Sequence, residues 1–112
     1  MFEPIRPPAI VLALLTSVGI GLAQPPDSIE QVVKIDNFTF DPATLTVAQG
    51  TKVTWLNRDD VPHTATSSSS PRAFDSKTLD TDESFSFVFT TAGMYPYFCK
   101  VHPHMTGKII VK

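Results

Sequence analysis

From residue 31 to the C-terminus, apolar and polar residues alternate with a period of two, which is the pattern of half-buried β-strands. In "TKVTWLN", Val53 and Trp55 alternate with polar residues, and "SFSFVF" places Phe85, Phe87 and Phe89 on one face. Turn signals separate such runs, and no segment carries a sustained helical repeat. Short strands at this spacing predict an all-β domain, an antiparallel β-sandwich or barrel with these large apolar residues in its core.

The N-terminal segment departs from this pattern through an uncharged run, "AIVLALLTSVGIGLA", at positions 9–23. The run is shorter than the ~20 residues that a membrane-spanning helix needs, and it ends in small residues. We therefore interpret residues 1–23 as a signal peptide that is cleaved after Ala23, and residues 24–112 as one exported domain, periplasmic or secreted. The alternative is an uncleaved N-terminal anchor; after cleavage, no stable membrane insertion is expected.

Charge and cysteine count narrow the class of protein further. The formal net charge is −2 and the basic residues do not cluster, so a nucleic-acid partner is not expected. Small exported domains often depend on disulfides, but a single cysteine cannot form an internal one. A free thiol in an oxidising compartment is open to oxidation or intermolecular pairing. Cys99 is therefore either a buried, inert residue or a ligand.

The stretch "YFCKVHPHM", residues 97–105, holds the only cysteine, two of the three histidines and one of the three methionines. Cys99, His102 and Met105 offer a thiolate, an imidazole and a thioether on one tight turn. Soft ligands of this kind select copper, zinc or iron–sulfur clusters, whereas magnesium, calcium and manganese prefer carboxylates, which this stretch lacks. The alternative for Met105 is that it fills a gap in the core.

A C-x2-H-x2-M loop supplies at most three ligands, and the remaining histidine is His63, in "NRDDVPHTA". His63 follows the strand that contains Trp55, from where its side chain could meet the Cys99 loop at one end of a sandwich. Two histidines and a cysteine in a trigonal arrangement, with a weak axial methionine, describe a blue-copper electron-transfer site.

The stretches "PATLTVAQGTKVTWLNRDDVPHTAT" and "GMYPYFCKVHPHMTGKIIV" together resemble the cupredoxins, the type 1 blue copper proteins. The short ligand loop is similar to that of amicyanin and amicyanin-like plastocyanin relatives, and differs from the C-x2-H-x4-M form of plastocyanin and pseudoazurin. The resemblance implies a Greek-key β-sandwich with one copper ion at one end, cycling between Cu(II) and Cu(I). It also implies that His63, Cys99 and His102 are the equatorial ligands and Met105 the axial one.

In many cupredoxins an asparagine follows the first histidine, and its backbone N–H donates a hydrogen bond to the cysteine sulfur. Thr64 stands at that position here. The resemblance therefore implies that the backbone bond is kept, whereas the replacement leaves open what becomes of the asparagine side chain's role in tying the two loops together.

The expected function is that of a one-electron carrier, a monomer that docks transiently with a cytochrome, a dehydrogenase or an oxidase near His102 and Pro103. A copper-binding or copper-trafficking module without a redox partner is the alternative. An enzyme is not expected, because three histidines cannot supply a second, catalytic copper centre. Zinc is disfavoured because two histidines, a cysteine and a thioether are a poor zinc set.

Other polar and aromatic residues near the motifs receive less specific predictions. His104 is expected to be exposed, with substitution for His102 in the copper-free protein as the alternative. Asp59, Asp60 and the acidic stretch 80–83 are interpreted as solvated loop charges. Phe98 lies on the opposite strand face from Cys99, and the sequence leaves it open between core packing and a surface that faces a partner.

Overall fold

A computed structural model describes residues 29–112; the predicted signal peptide, residues 1–23, lies outside the described residues. Within residues 29–112 the chain forms eight strands and no helix, so this part holds no helix that is long and apolar enough to span a membrane. The strands are β1 (Glu30–Asp36), β2 (Thr39–Asp41), β3 (Thr44–Val47), β4 (Thr51–Asn57), β5 (Thr66–Ser67), β6 (Ser84–Phe89), β7 (Gly93–Phe98) and β8 (Thr106–Val111).

The strands form two four-stranded sheets that face each other as a sandwich. One sheet has the order β2-β1-β4-β6 and the other β3-β8-β7-β5. The all-β Greek-key sandwich predicted from the sequence is confirmed, but the expected antiparallel pairing holds for only four of the six strand pairs. β1 runs parallel to β4, and β3 runs parallel to β8. Alternation reports which face of a strand is buried and carries no information on the direction of its neighbour, so the pattern could not reveal these parallel pairs.

The core lies between the sheets and is rich in aromatic rings. Trp55 is completely buried, and its ring contacts those of Phe74, Phe85, Phe89 and Tyr97. Phe89 is buried, whereas Phe85 and Phe87 are half-buried because β6 is an edge strand of its sheet. The predicted core positions are therefore confirmed for Trp55 and Phe89 and hold in part for the other two phenylalanines.

One end of the sandwich carries both chemically distinctive segments of the sequence. β7 and β8 form a hairpin in which Phe98 pairs with Thr106, so residues 99–105 are its connecting loop. The segment 58–65 leaves β4 and enters β5, whose first residue, Thr66, also pairs with Phe98. The topology thus places the loop that contains His63 beside the loop that contains Cys99.

Candidate metal centre

The loop 99–105 is held in shape by its own backbone. The Cys99 N–H donates to the Met105 carbonyl at 3.1 Å, and the Met105 N–H donates to the His102 carbonyl at 2.8 Å. Cys99 is completely buried, and Met105 is only 6% exposed. The side chain of Cys99 shares the buried face of β7 with Tyr97, as the two-residue period requires.

The loop that carries His63 is fixed by a buried amide at the end of β4. Asn57 is completely buried; its side-chain N–H groups donate to the carbonyls of Val61 and Leu79 at 3.0 and 2.9 Å. His63 and Leu79 exchange backbone hydrogen bonds at 3.1 and 2.8 Å. These contacts hold the buried His63 ring at the end of the sandwich where the Cys99 loop lies.

His63, Cys99 and His102 bring one thiol and two imidazoles together. The Cys99 Sγ lies 3.7 Å from His63 Nδ1 and 3.9 Å from His102 Nδ1, and the ligand atoms of the three residues all lie within 4.8 Å of one another. Metal–nitrogen bonds of ~2.05 Å and metal–sulfur bonds of ~2.3 Å at a trigonal angle separate the two donor atoms by about 3.8 Å. The three side chains therefore fit a single metal ion, and their chemistry is that of a copper site.

Met105 lies on the same short loop as Cys99 and His102. It is buried and lines a surface depression together with His102. His102 itself is half-buried, so it is partly accessible at the surface while Cys99 and His63 are enclosed.

Thr64 joins the two loops through both its backbone and its side chain. Its N–H donates to Cys99 Sγ at 3.4 Å, the bond that the resemblance implied. Its Oγ1 accepts the Lys100 N–H at 2.9 Å and forms a second hydrogen bond with Thr66 Oγ1 at 2.9 Å. The question left open by the sequence is thereby answered, because the threonine hydroxyl does tie the loops together.

Asp75 links Thr66 to Lys100 through a hydrogen bond and an ion pair. Its carboxylate accepts from Lys100 Nζ at 2.7 Å and from Thr66 Oγ1 at 3.2 Å, and the Lys77 N–H donates to it at 3.0 Å. Burial alone would raise the pKa of Asp75, but the bonds from Lys100 and the Lys77 amide outweigh it and hold the pKa below its ordinary value.

Asp59 overturns the prediction that both aspartates of "DD" are solvated loop charges. Its side chain is only 10% exposed, and its Oδ2 lies 2.7 Å from His63 Nε2. Burial would raise the pKa of Asp59, but hydrogen bonds from the Phe38 and Asn37 amides and from His63 lower it. Asp60 is exposed, as predicted. The D-x-x-x-H spacing was the available signal, but alone it does not separate a buried partner of His63 from a surface charge.

The surface beside His102 is a shallow, mostly apolar depression of about 440 Å³, which we call the His102 depression. It is lined by Phe38, Val101, His102, Pro103, His104 and Met105. His104 is exposed, in agreement with its prediction. Phe38 was not singled out from the sequence, because a lone aromatic residue in a turn gives no sign of which loop it will meet.

Phe98 does not line this depression and instead lines another one, together with residues 68–72 of the serine-rich loop. It is half-buried, and the Arg72 guanidinium lies 5.6 Å from the centre of its ring. Phe98 is thus neither fully buried nor fully exposed, and both readings that the sequence left open, core packing and a surface that faces a partner, stay predictions.

Comparisons with known proteins agree with this fold. The family model described as a cupredoxin-like domain matches residues 9–111. The chain is 33% identical over 84 residues to amicyanin from Paracoccus denitrificans, covering 72% of this chain and 64% of that protein. It is 37% identical to chloroplastic plastocyanin from Tetradesmus obliquus, covering 65% of this chain and 58% of that protein. The match thus spans less than two thirds of the length of each of these relatives.

Solved structures give the same result. A purple cupredoxin from Nitrosopumilus maritimus superposes with a TM-score of 0.69 at 32% identity, covering 73% of this chain and 99% of that one. An amicyanin variant in its Cu(I) form gives a TM-score of 0.70 at 30% identity, covering 80% of this chain and 88% of that one. The chain belongs to the cupredoxin family, which confirms the family expected from its sequence.

Proposed function

We propose that this protein is a one-electron carrier with a single type 1 copper ion held by His63, Cys99 and His102, and by Met105 as a weak axial ligand. The observation that carries the proposal is the convergence of Cys99 Sγ with the Nδ1 atoms of His63 and His102 at 3.7 and 3.9 Å. Similarity to amicyanin and plastocyanin supports the same role. No catalytic activity is proposed.

The residues around the centre suit a redox site whose geometry changes little. Thiolate and thioether ligands favour Cu(I), and imidazoles accept both oxidation states, so bound copper supplies a Cu(II)/Cu(I) couple. Thr64 donates its N–H to the sulfur, and the Lys100 amide holds Thr64 in place. Because hydrogen bonds fix both loops, the donor atoms have little freedom to rearrange, and a small rearrangement favours rapid electron transfer.

We propose that the electron passes through His102 to a partner that docks on the His102 depression. His102 is the half-buried member of the ligand set, and exposed apolar neighbours, among them Pro103 and Val101, surround it. A mostly apolar surface of this kind suits transient docking of a redox protein such as a cytochrome, a dehydrogenase or an oxidase. We further propose that residues 1–23 are a signal peptide and that the domain acts as a monomer in the periplasm.

The test is the electron self-exchange rate of the copper-loaded protein, measured by NMR line broadening in mixtures of oxidised and reduced protein. Fast self-exchange is expected, together with copper that stays bound for hours in the presence of a competing chelator.

Pro103→Glu should slow self-exchange several-fold at low ionic strength, because two copies would then meet with like charges at the docking surface.

Thr90→Glu is the matched control, since Thr90 is exposed and follows β6 at the opposite end of the sandwich. Equal rates for the two variants would contradict docking at Pro103. Slow self-exchange combined with copper transfer to the chelator within minutes would instead support the alternative, a copper-handling module.

A further inference from the structure

One carboxylate outside the proposed ligand set, that of Asp59, connects His63 to a turn that is distant in sequence. Asp59 Oδ2 lies 2.7 Å from His63 Nε2 and accepts the Phe38 N–H at 2.9 Å, while Oδ1 accepts the Asn37 N–H at 2.7 Å. Asn37 and Phe38 lie between β1 and β2, more than twenty positions away in sequence. The carboxylate therefore links this turn to His63 through hydrogen bonds.

The position of Asp59 is itself fixed by the surrounding loops. Its N–H donates to the buried Asn57 Oδ1 at 2.9 Å, and its carbonyl accepts from Thr81 Oγ1 at 2.6 Å. Both contacts come from residues that do not belong to the ligand set. The backbone thus holds the carboxylate in its orientation independently of His63.

The turn that Asp59 holds has an unusual backbone. Asn37 has φ of 52° and Phe38 has φ of 60°, both in the left-handed region. Asparagine tolerates this region, but it is uncommon for a bulky residue such as phenylalanine. The two successive N–H groups point at one carboxylate, an arrangement that binds an anionic oxygen well and offsets the backbone strain.

This backbone places the Phe38 ring directly against both proposed histidine ligands. The ring centroid lies 5.4 Å from that of His63 and 5.0 Å from that of His102, with interplanar angles of 88° in both cases. Phe38 is 48% exposed and lines the His102 depression. Phe38 therefore packs against both imidazoles while about half of it meets solvent.

We propose that Asp59 is a positioning residue for the copper centre: the same carboxylate orients His63 and holds the Asn37–Phe38 turn, so that Phe38 covers the two imidazoles. This inference rests on the proposed function in taking His63 and His102 as ligands. Accepting the Nε2–H of His63 leaves Nδ1 free to bind metal, and a carboxylate on the far nitrogen makes an imidazole a better ligand. Its negative charge favours the more highly charged Cu(II) over Cu(I).

The turn is tested first, in the copper-free protein, by amide hydrogen exchange followed by NMR. Asp59→Asn removes the charge and leaves one acceptor oxygen for three donors. The Asn37 and Phe38 amides should then exchange about tenfold faster or more, because hydrogen bonds to a charged acceptor are lost. Asp60→Asn is the matched control, because the neighbouring carboxylate is exposed and the same charge is removed. Equal exchange in the two variants would overturn the link to the turn.

The link to His63 is tested by copper affinity and reduction potential. Loss of a carboxylate partner of a ligating histidine typically weakens metal binding about 10- to 100-fold. Each tenfold loss of Cu(II) affinity relative to Cu(I) raises a one-electron potential by about 59 mV. Asp59→Asn should therefore raise the potential, and Asp60→Asn should change it much less. A potential that is the same in both variants would overturn the positioning of His63.

Phe38→Ala separates the orientation of His63 by Asp59 from the covering of the imidazoles by Phe38. It also tests the covering role if Asp59→Asn does not fold. It keeps the carboxylate on His63, so the potential should change less than in Asp59→Asn, but removal of copper by a chelator should be several-fold faster because the imidazoles are uncovered. An unchanged removal rate would overturn the covering role. A wild-type protein without a copper–thiolate absorption band would instead contradict the proposed function, and the exchange test in the copper-free protein would still stand.

Discussion

At the residue scale, the most unusual polar group of the core is the Tyr97 hydroxyl. Tyr97 is 1% exposed, and within residues 29–112 neither its hydroxyl nor the buried Trp55 Nε1 has a hydrogen-bond partner. Burial raises the pKa of Tyr97 to about 12. The ring fills the space over Gly107 on β8, where a Cβ atom would collide with it. Its packing therefore matters more than its hydroxyl.

Tyr97→Phe should leave the stability of the copper-free protein unchanged or slightly higher at pH 7, since it removes a buried hydroxyl that makes no hydrogen bond to any of the described residues. The raised pKa means that the wild type keeps its stability below pH 10, the ordinary tyrosine value, and loses it as pH rises from 10 towards 12. At pH 11 the phenylalanine variant should thus be about 1 kcal/mol more stable than the wild type. Urea denaturation at both values checks this, and a clear loss of stability at pH 7 would show that the hydroxyl does have a partner.

At the scale of the elements, Thr64, Thr66, Asp75 and Lys100 form a closed ring of hydrogen bonds. The ring joins the segment before β5, the loop that follows β5 and the loop after β7. The ring includes Thr64, whose N–H donates to Cys99 Sγ. Breaking the ring should therefore loosen both loops of the candidate metal centre.

Asp75→Asn tests this ring. Because the pKa of Asp75 is lowered in the folded protein, its contribution is present above the ordinary value of 3.8 and is lost as pH falls through the lowered value. We expect the variant to be about 0.5–1 kcal/mol less stable at pH 7, a modest figure since Lys100 is partly exposed, with the difference vanishing in strong acid. The measurement is urea denaturation of the copper-free protein across this range.

Asp82→Asn is the control for Asp75→Asn, since Asp82 pairs with Arg58 and both side chains are largely exposed. It should change stability less. Identical pH profiles for the two variants would show that the ring is only a surface ion pair.

The strands and the site differ in how far the sequence could predict them. Period-two alternation identified strands such as β4 and β6, because burial of one strand face requires an apolar residue at every second position. It could not give the parallel pairing of β1 with β4, which depends on contacts far apart in the chain. His63, Cys99 and His102 were identified because their residue types are rare and chemically specific. Asp59 was not, because its burial arises from the β1–β2 turn, which no local pattern links to it.

At the scale of the whole molecule, two loops at one end of a sandwich meet without a disulfide, since the chain has one cysteine. A domain of this size has modest stability of its own. His63 lies on the segment between β4 and β5, whereas Cys99 and His102 lie on the loop between β7 and β8. A metal ion held by all three residues therefore requires the folded arrangement.

Copper should therefore raise the melting temperature. A free concentration a thousandfold above the dissociation constant adds about 4 kcal/mol to the stability, which corresponds to about 15 °C or more for a domain this small. Scanning calorimetry with and without Cu(II) measures the shift, and Cys99→Ser, which removes the sulfur ligand, should lose most of it. An unchanged melting temperature under conditions where copper is bound would contradict the coupling of the site to the fold.

The visible absorption spectrum of the purified protein, oxidised and loaded with one equivalent of copper, tests the central claim most directly. If Cys99, His63 and His102 bind copper as proposed, an intense band from the copper–thiolate bond appears towards the red end of the spectrum, bleaches on one-electron reduction and is absent in Cys99→Ser. A colourless oxidised protein with copper bound, or a band that survives in Cys99→Ser, would contradict it.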